Sequence, residues 1–253
     1  MGISLRPNGM TSAAHALRYC ERRQEVVANN LANTSTDGFK AERAFASLAE
    51  DALPTVATRT DLRAGDLRPT GNALDLALAG DGFLVVDTPA GERLTRGGSF
   101  RVDEQQRLVT AGGEPLLGEG GPIVLDADVA ATAGQSGGAP DGASRDDMVQ
   151  IDRDGNVRVA GTPVGTLRVE RVPEGARLEH AGGNLFVPPD GRQPVPPGER
   201  ELRQGAVESS NVSSIDALVE MITVQRAYAS VQKAMTTLDS ARGLMTSEIG
   251  KPV

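Results

Sequence analysis

The chain has 253 residues, with 30 glycines, 15 prolines, no tryptophan, 3% aromatic residues and a net charge of −8. That balance, without clustered Lys and Arg, argues against nucleic acid or an anionic membrane as partner. So few large side chains argue against one compact enzyme core and for small cores with much turn and extended chain. Cys20 is the sole cysteine, so no internal disulfide can form, and it reads as a small packed residue. No 18-residue apolar run marks a membrane span. Nor does a basic stretch followed by an apolar one mark a secretory signal, so composition alone reads as cytoplasmic.

In chain order, residues 8 to 33 predict a helix. Met10, Ala13, Leu17, Cys20, Val27 and Leu31 keep a spacing of three and four, with Gln24 as a polar interruption. The turn residues Thr34-Ser35-Thr36-Asp37-Gly38 end it near Asn33. From Lys40 to about Thr70 the pattern loosens: Phe45 and Leu48 suggest a short helical extension, Pro54 extended chain.

From Leu74 the reading is β. Leu74, Leu76 and Leu78 alternate with Asp75 and Ala77. Phe83–Val86, Leu94–Phe100, Arg107–Thr110, Ile123–Leu125, Val149–Ile151, Val157–Val159, Gly165–Val172 and Leu185–Val187 are strand candidates, most of them bounded by glycine-containing turns. Residues 130 to 144 read as a Gly/Ala/Ser-rich loop, and the proline-rich stretch 188 to 197 as the close of the module.

The longest ordered pattern lies at the far end. Met221, Val224, Tyr228, Val231, Met235, Leu238 and Met245 alternate spacings of three and four, broken only by Arg242. This is the narrow seam of a coiled coil. Ser213 can cap the helix with Asp216 three residues on, and no glycine or proline follows until Gly243, so the helix can run ~45 Å. The matching seam at Met10–Leu31 is its natural partner.

No catalytic or metal constellation emerges, and no cofactor is expected. His15 and His180 have no carboxylate or cysteine at metal spacing. Asp152-Arg153-Asp154-Gly155-Asn156 opens like a calcium loop, but its glycine falls too early and its glutamate is missing, which leaves a β-turn. Gly80-Asp81-Gly82 reads as a turn, and Ser209 and Ser210 have no neighbouring histidine to act as base.

Asn29-Asn30-Leu31-Ala32-Asn33 followed by Thr36-Asp37-Gly38-Phe39-Lys40 resembles the N-terminal signature of the bacterial flagellar rod and hook proteins. Gly65-Asp66-Leu67, Thr70–Ala77, Gly80–Val86, Leu94–Phe100 and Leu108–Thr110 continue the resemblance in order. Gly205–Val212 and Met221-Ile222 with Gln225-Arg226-Ala227-Tyr228 are similar to the family's C-terminal signature. Within the family, the short interval from Lys40 to Gly65 and Gly118–Ile123 resemble the proximal rod type, while Gln225–Tyr228 is closer to the distal rod and hook proteins. The proximal type is favoured and the distal type stays open.

The resemblance implies an α+β protein whose N- and C-terminal helices form an inner coiled-coil layer, with a central all-β module and extended linkers. The expected parts are an N-terminal helix in 1–40, a linker in 41–73, the β domain in 74–198, a returning linker in 199–212 and the C-terminal helix in 213–253. It implies a structural rod subunit that is not an enzyme, exported unfolded by the flagellar type III apparatus and placed in the periplasmic part of the basal body. Its partners would be its own copies and other rod and hook subunits, with no nucleic acid and no membrane insertion. The expected assembly interface comprises Met10, Leu17, Val27, Asn29, Asn30, Leu31, Asn33, Gly38 and Phe39. From the C-terminal helix it takes Met221, Val224, Tyr228, Val231, Met235 and Leu238. Two rivals remain: a trimeric fibre or adhesin built on the C-terminal coil, and a peptidoglycan-active β enzyme. The second needs paired carboxylates, and Asp75, Asp81 and Asp103 form no pattern that specifies one.

Overall fold

The computed structural model describes residues 9–47, 55–125, 148–173 and 175–249. The readings at Leu48, Pro54 and 130–144, and the side chain of Met245, lie outside what it describes. The architecture is α+β, with one helix near each end and strands between. It divides into two compact units. One is drawn from Met1–Asn33, Glu42–Asp61 and Val212–Val253, the other from Thr34–Ala41 and Leu62–Asn211.

In the helical unit, α1 (Gly9–Ala32) packs on α2 (Ser214–Ile249). They run antiparallel: Arg23 donates to Glu220 at 2.8 and 2.9 Å, while Met10 Sδ lies 3.2 Å from Arg242 Nη1. The Arg23 pair is only half-buried and is worth at most about 1 kcal/mol, so packing holds the helices together. The Asp216 N–H donates to Ser213 Oγ at 3.3 Å, the expected cap. α2 passes through Gly243 without a break, because a lone glycine costs only about 1 kcal/mol in a long helix. The only two tyrosines, Tyr19 and Tyr228, sit one on each helix.

The stretch expected as a linker, 41–73, is structured. Glu42–Ser47 and Thr55–Thr60 form an antiparallel hairpin with Phe45 opposite Ala57, so Phe45 extends no helix. The hairpin packs on α1, and the helix buries both Val26 and Val27. Asn30 fastens the junction: its Nδ2 donates to the Glu42 carbonyl at 2.8 Å, and its Oδ1 accepts from the Glu42 N–H at 2.9 Å. One amide side chain thus satisfies both backbone polar groups of Glu42.

The second unit centres on a six-stranded antiparallel sheet. Its order is Glu179–Gly182, Leu185–Val187, Gly91–Thr95, Phe83–Thr88, Val169–Arg171, Gln193–Pro194. The run Phe83-Leu84-Val85-Val86 is apolar throughout because both faces of its strand are buried. Leu84 and Val86 join the larger core with Leu108, Leu116 and Leu167, while Phe83 and Val85 join Leu94 and Phe186 in the smaller one. Leu76–Leu78 is likewise buried on both faces, so the alternation at 74–78 does not mark a solvated side. Of the other strand candidates, Ile123–Leu125 forms only an isolated bridge, Arg107 with Val124.

The expected returning linker, 199–212, also belongs to this unit. Leu202–Gln204 pairs with Leu76–Leu78, and Ala206–Glu208 with Leu67–Pro69. The proline-rich stretch does not close the module either, since Gln193–Pro194 pairs with Val169–Arg171 and Val195 is fully buried. The strands at 76–78 and 67–69 need partners, and the chain supplies them from more than 120 residues on.

Candidate assembly interface

α2 carries apolar side chains on two faces. Along the face toward α1, Ala217 and Val224 are buried and Met221, Tyr228, Val231 and Met235 are half-buried. Leu238 is 43% exposed; it lies against Gly9, the first residue of α1, which has no side chain to cover it. The opposite face holds Ile215, Leu218, Val219 and Ile222, from 49% to 72% exposed. Their spacing of i, i+3, i+4, i+7 lines them up in one stripe. An apolar helical stripe left open to water is a site in want of a partner. The seam reading missed it. The spacing is present in the sequence, alongside the longer seam on the other side of the helix.

Of the expected interface residues, Met10, Leu17, Val27 and Leu31 lie on α1, the helix that packs on α2; Val27 is buried and the other three are half-buried. Asn29 is exposed, and Asn33 Nδ2 donates back to the Asn29 carbonyl at 2.9 Å, closing the helix end. Asn30 is occupied with Glu42 inside the chain.

Gly38 and Phe39 lie in the other unit and are buried there. Phe39 starts an aromatic stack, 6.0 Å from His180, which lies 4.5 Å from Phe186, which in turn meets Phe83 edge-on at 5.9 Å. His180 is therefore a packing residue. Gly38 has φ +72, and a Cβ there would lie 2.4 Å from the Arg96 and Gly97 backbone.

Next to Gly38 the structure builds a site that no local pattern announced. Lys40 Nζ donates to Glu208 Oε1 at 2.5 Å and to the Arg63 carbonyl at 2.8 Å. Arg96 Nη1 donates to Glu208 Oε2 at 3.2 Å, and the Gly65 N–H to Oε1 at 2.8 Å. The side chains of Lys40 and Glu208 are each 1% exposed. Arg96 also donates to the carbonyls of Leu78 and Gly80 at 3.0 and 2.9 Å, and its guanidinium sits 5.3 Å from the Phe83 ring centroid. Burial pushes Arg96 below its ordinary pKa, against the opposing charge and hydrogen bond of Glu208 and the weaker field of Asp81. Asn211 completes the clasp: its Oδ1 accepts from the Ala41 N–H at 2.8 Å and its Nδ2 donates to the Arg63 carbonyl at 2.9 Å. The chain passes between the two units at Asn33/Thr34, Ala41/Glu42, Asp61/Leu62 and Asn211/Val212. Every passage adjoins a clasp segment.

Elsewhere the chemistry is structural. Glu92 and Glu170 alternate with Arg168 and Arg192 in a closed ring of ion pairs at 2.5 to 2.8 Å. Among the described residues no group of His, Cys, Asp or Glu is placed to hold a metal ion. No helix among them is long and apolar enough to cross a membrane. Asp152 closes a turn, its Oδ1 accepting from the Asp154 and Asn156 N–H groups at 3.0 and 2.9 Å. Burial is the largest single influence and raises its pKa, but the Asn156 side chain and these N–H groups together outweigh it and leave it lowered. A lowered carboxylate contributes stability that is present above its unfolded value and lost as pH falls through its folded one. In Asp152→Asn the urea midpoint should therefore fall less steeply between about pH 4 and 2 than in the parent.

Comparison with known proteins matches three stretches. Residues 10–40 match the family "Flagella basal body rod protein", 77–159 the "Flagellar hook protein FlgE/F/G D1 domain" and 203–245 the "Flagellar basal body rod FlgEFG protein C-terminal". The chain is 30% identical to the flagellar basal-body rod protein FlgF of Caulobacter vibrioides, over 91% of its own length and 93% of the relative's. It is 32% identical to FlgF of Rhizobium meliloti over 92% and 99% of the two chains. It is 30% identical to the rod protein FlgG of Borreliella burgdorferi over 92% and 95%. The FlgF matches fit the proximal-type reading of the short interval after Lys40. With helices at both ends, strands between, and likeness spanning nearly the full chain, this protein belongs to the flagellar basal-body rod and hook family, as a structural protein and not an enzyme.

Proposed function

We propose that the terminal helices of this protein form the inner layer of a helical tube, in contact with its own copies and with other rod and hook subunits. The open stripe Ile215–Leu218–Val219–Ile222 carries this reading. It faces away from α1, so a neighbouring subunit's helix can cover it without displacing the pairing within the chain. A contact between one patch and a different patch on the next copy repeats without closing, which suits a tube. The α2 seam is already engaged by α1, and this does not favour a parallel trimeric fibre.

The tube transmits torque and lines the export channel. The chain reaches it unfolded through the flagellar type III apparatus, without a cleaved signal, and the mature site is the periplasmic rod. Helices with so much exposed apolar surface gain most of their stability on docking, which suits passage as an unfolded chain.

The test is the double variant Leu218→Asp with Ile222→Asp in the full-length protein. Both positions are exposed in the single chain, so the helical circular dichroism of the monomer should hardly change. Each buried charge would cost several kcal/mol in an assembled helix layer, so rods should fail to form and motility should be lost. Normal swimming in a strain carrying only this variant would sink the proposal.

A further inference from the structure

The clasp has a direction that its burial alone does not require. Gly38 lies against Glu208, its N–H donating to the Glu208 carbonyl at 2.6 Å. Further along, the Asn211 N–H donates to the Phe39 carbonyl at 3.3 Å, and the Ala41 N–H to Asn211 Oδ1 at 2.8 Å. The incoming and outgoing segments therefore advance side by side in the same chain direction. Tension drawn between α1 and α2 enters one segment at its N-terminal end and leaves the other at its C-terminal end. In a parallel pair those ends are opposite, so the contacts are loaded together in shear instead of one after another. The Lys40–Glu208 ion pair cross-links the two segments, and Arg96 holds Glu208 from a third, where water is excluded and cannot replace a strained ion contact. Gly65 seals the other flank: a Cβ there would lie 2.0 Å from the Ser209 carbonyl oxygen.

We propose that the clasp of Gly38, Lys40, Gly65, Arg96, Glu208 and Asn211 is a mechanical clamp that bears tension between the chain segments leading to the two terminal helices. Its use in the cell rests on the rod reading given above. The clamp itself is a property of the single chain.

Single-molecule pulling on the full-length protein tests it. In a Cys20→Ala background, tethers at Ser35→Cys and Ser214→Cys pull through the clasp, while tethers at Asp87→Cys and Asp190→Cys pull across the six-stranded sheet. All four tether positions are exposed. Lys40→Met removes one cation and leaves the Arg96–Glu208 pair intact. The lifetime of the folded unit at constant force should shorten roughly tenfold or more along the first axis, as the charge-assisted bonds of Lys40 to Glu208 and the Arg63 carbonyl are lost. It should hardly change along the second. An unchanged lifetime on the first axis, or equal shortening on both, would overturn the clamp. If Lys40→Met does not fold, Asn211→Ala is read by the same two axes, since it removes the bonds to Ala41 and Arg63 while leaving the ion triad. The stripe variants of α2 test assembly and leave these residues untouched, so either idea can fail alone.

Discussion

Glu208→Gln is expected to destabilise the strand-rich unit by about 3–5 kcal/mol, the cost of leaving a buried charge without its partner. Glutamine keeps the length and can still accept from Gly65. It leaves Lys40 and Arg96 facing each other with no anion between them, at a point where both are nearly sealed from water. Arg96 then loses the charge and the hydrogen bond that oppose its desolvation, and only the weaker field of Asp81 remains. Lys40→Met should behave differently. It removes a charge instead of orphaning one, and the Arg96–Glu208 pair stays neutral. The bonds to Glu208 and the Arg63 carbonyl are both lost, but Asn211 still donates to that carbonyl, so the loss should be smaller, about 1.5–3 kcal/mol. Hydrogen exchange of the Phe83–Thr88 strand in increasing urea would rank the two. Equal losses would mean that the cations are compensated elsewhere.

The second large effect is expected at Gly38. Alanine there must adopt φ +72, which costs about 1 kcal/mol, and its Cβ would lie 2.4 Å from backbone atoms of Arg96 and Gly97. No side chain can swing aside, so the backbone carrying Arg96 has to move, a strain of typically 1–3 kcal/mol. The total is about 2–4 kcal/mol. Gly71→Ala is the internal standard. Its φ is +77 but nothing lies within 4 Å of the added Cβ, so it isolates the conformational cost. Thermal melts of the two variants give the close approach by difference. A Gly38→Ala loss no larger than that of Gly71→Ala would show that the contact relaxes at little cost.

How far the fold was legible depended on whether its signal was local. Both helices were readable because a repeat of three and four holds wherever the chain folds. The α1–α2 pairing followed from two matching seams. The hairpin at 42–60 was not readable: its strands mix Arg, Thr, Ala and Ser and are held by α1 and by Asn30, contacts that no strand pattern encodes. Nor were the strands at 202–208, whose partners lie near residues 67–78.

The clasp was the least legible feature. Lys40, Arg96 and Glu208 are charged residues that read as surface, and the ion pairs that bury them span sequence separations of 168 and 112. The family resemblance pointed to the right segments, since Gly38-Phe39-Lys40 and Glu208–Asn211 both lie in its signatures. It assigned Gly38 and Phe39 to contacts between subunits, whereas in the single chain they are buried inside the strand-rich unit.

The placement of Tyr19 and Tyr228, one on each helix, makes the molecule optically divisible. With no tryptophan anywhere and no tyrosine in Thr34–Ala41 or Leu62–Asn211, tyrosine emission arises from the helical unit alone. An unlabelled sample therefore carries a built-in reporter for docking of its helices, while most of the strand signal in circular dichroism follows the other unit. The order in which the two parts gain structure can be timed in one refolding experiment, without altering a residue.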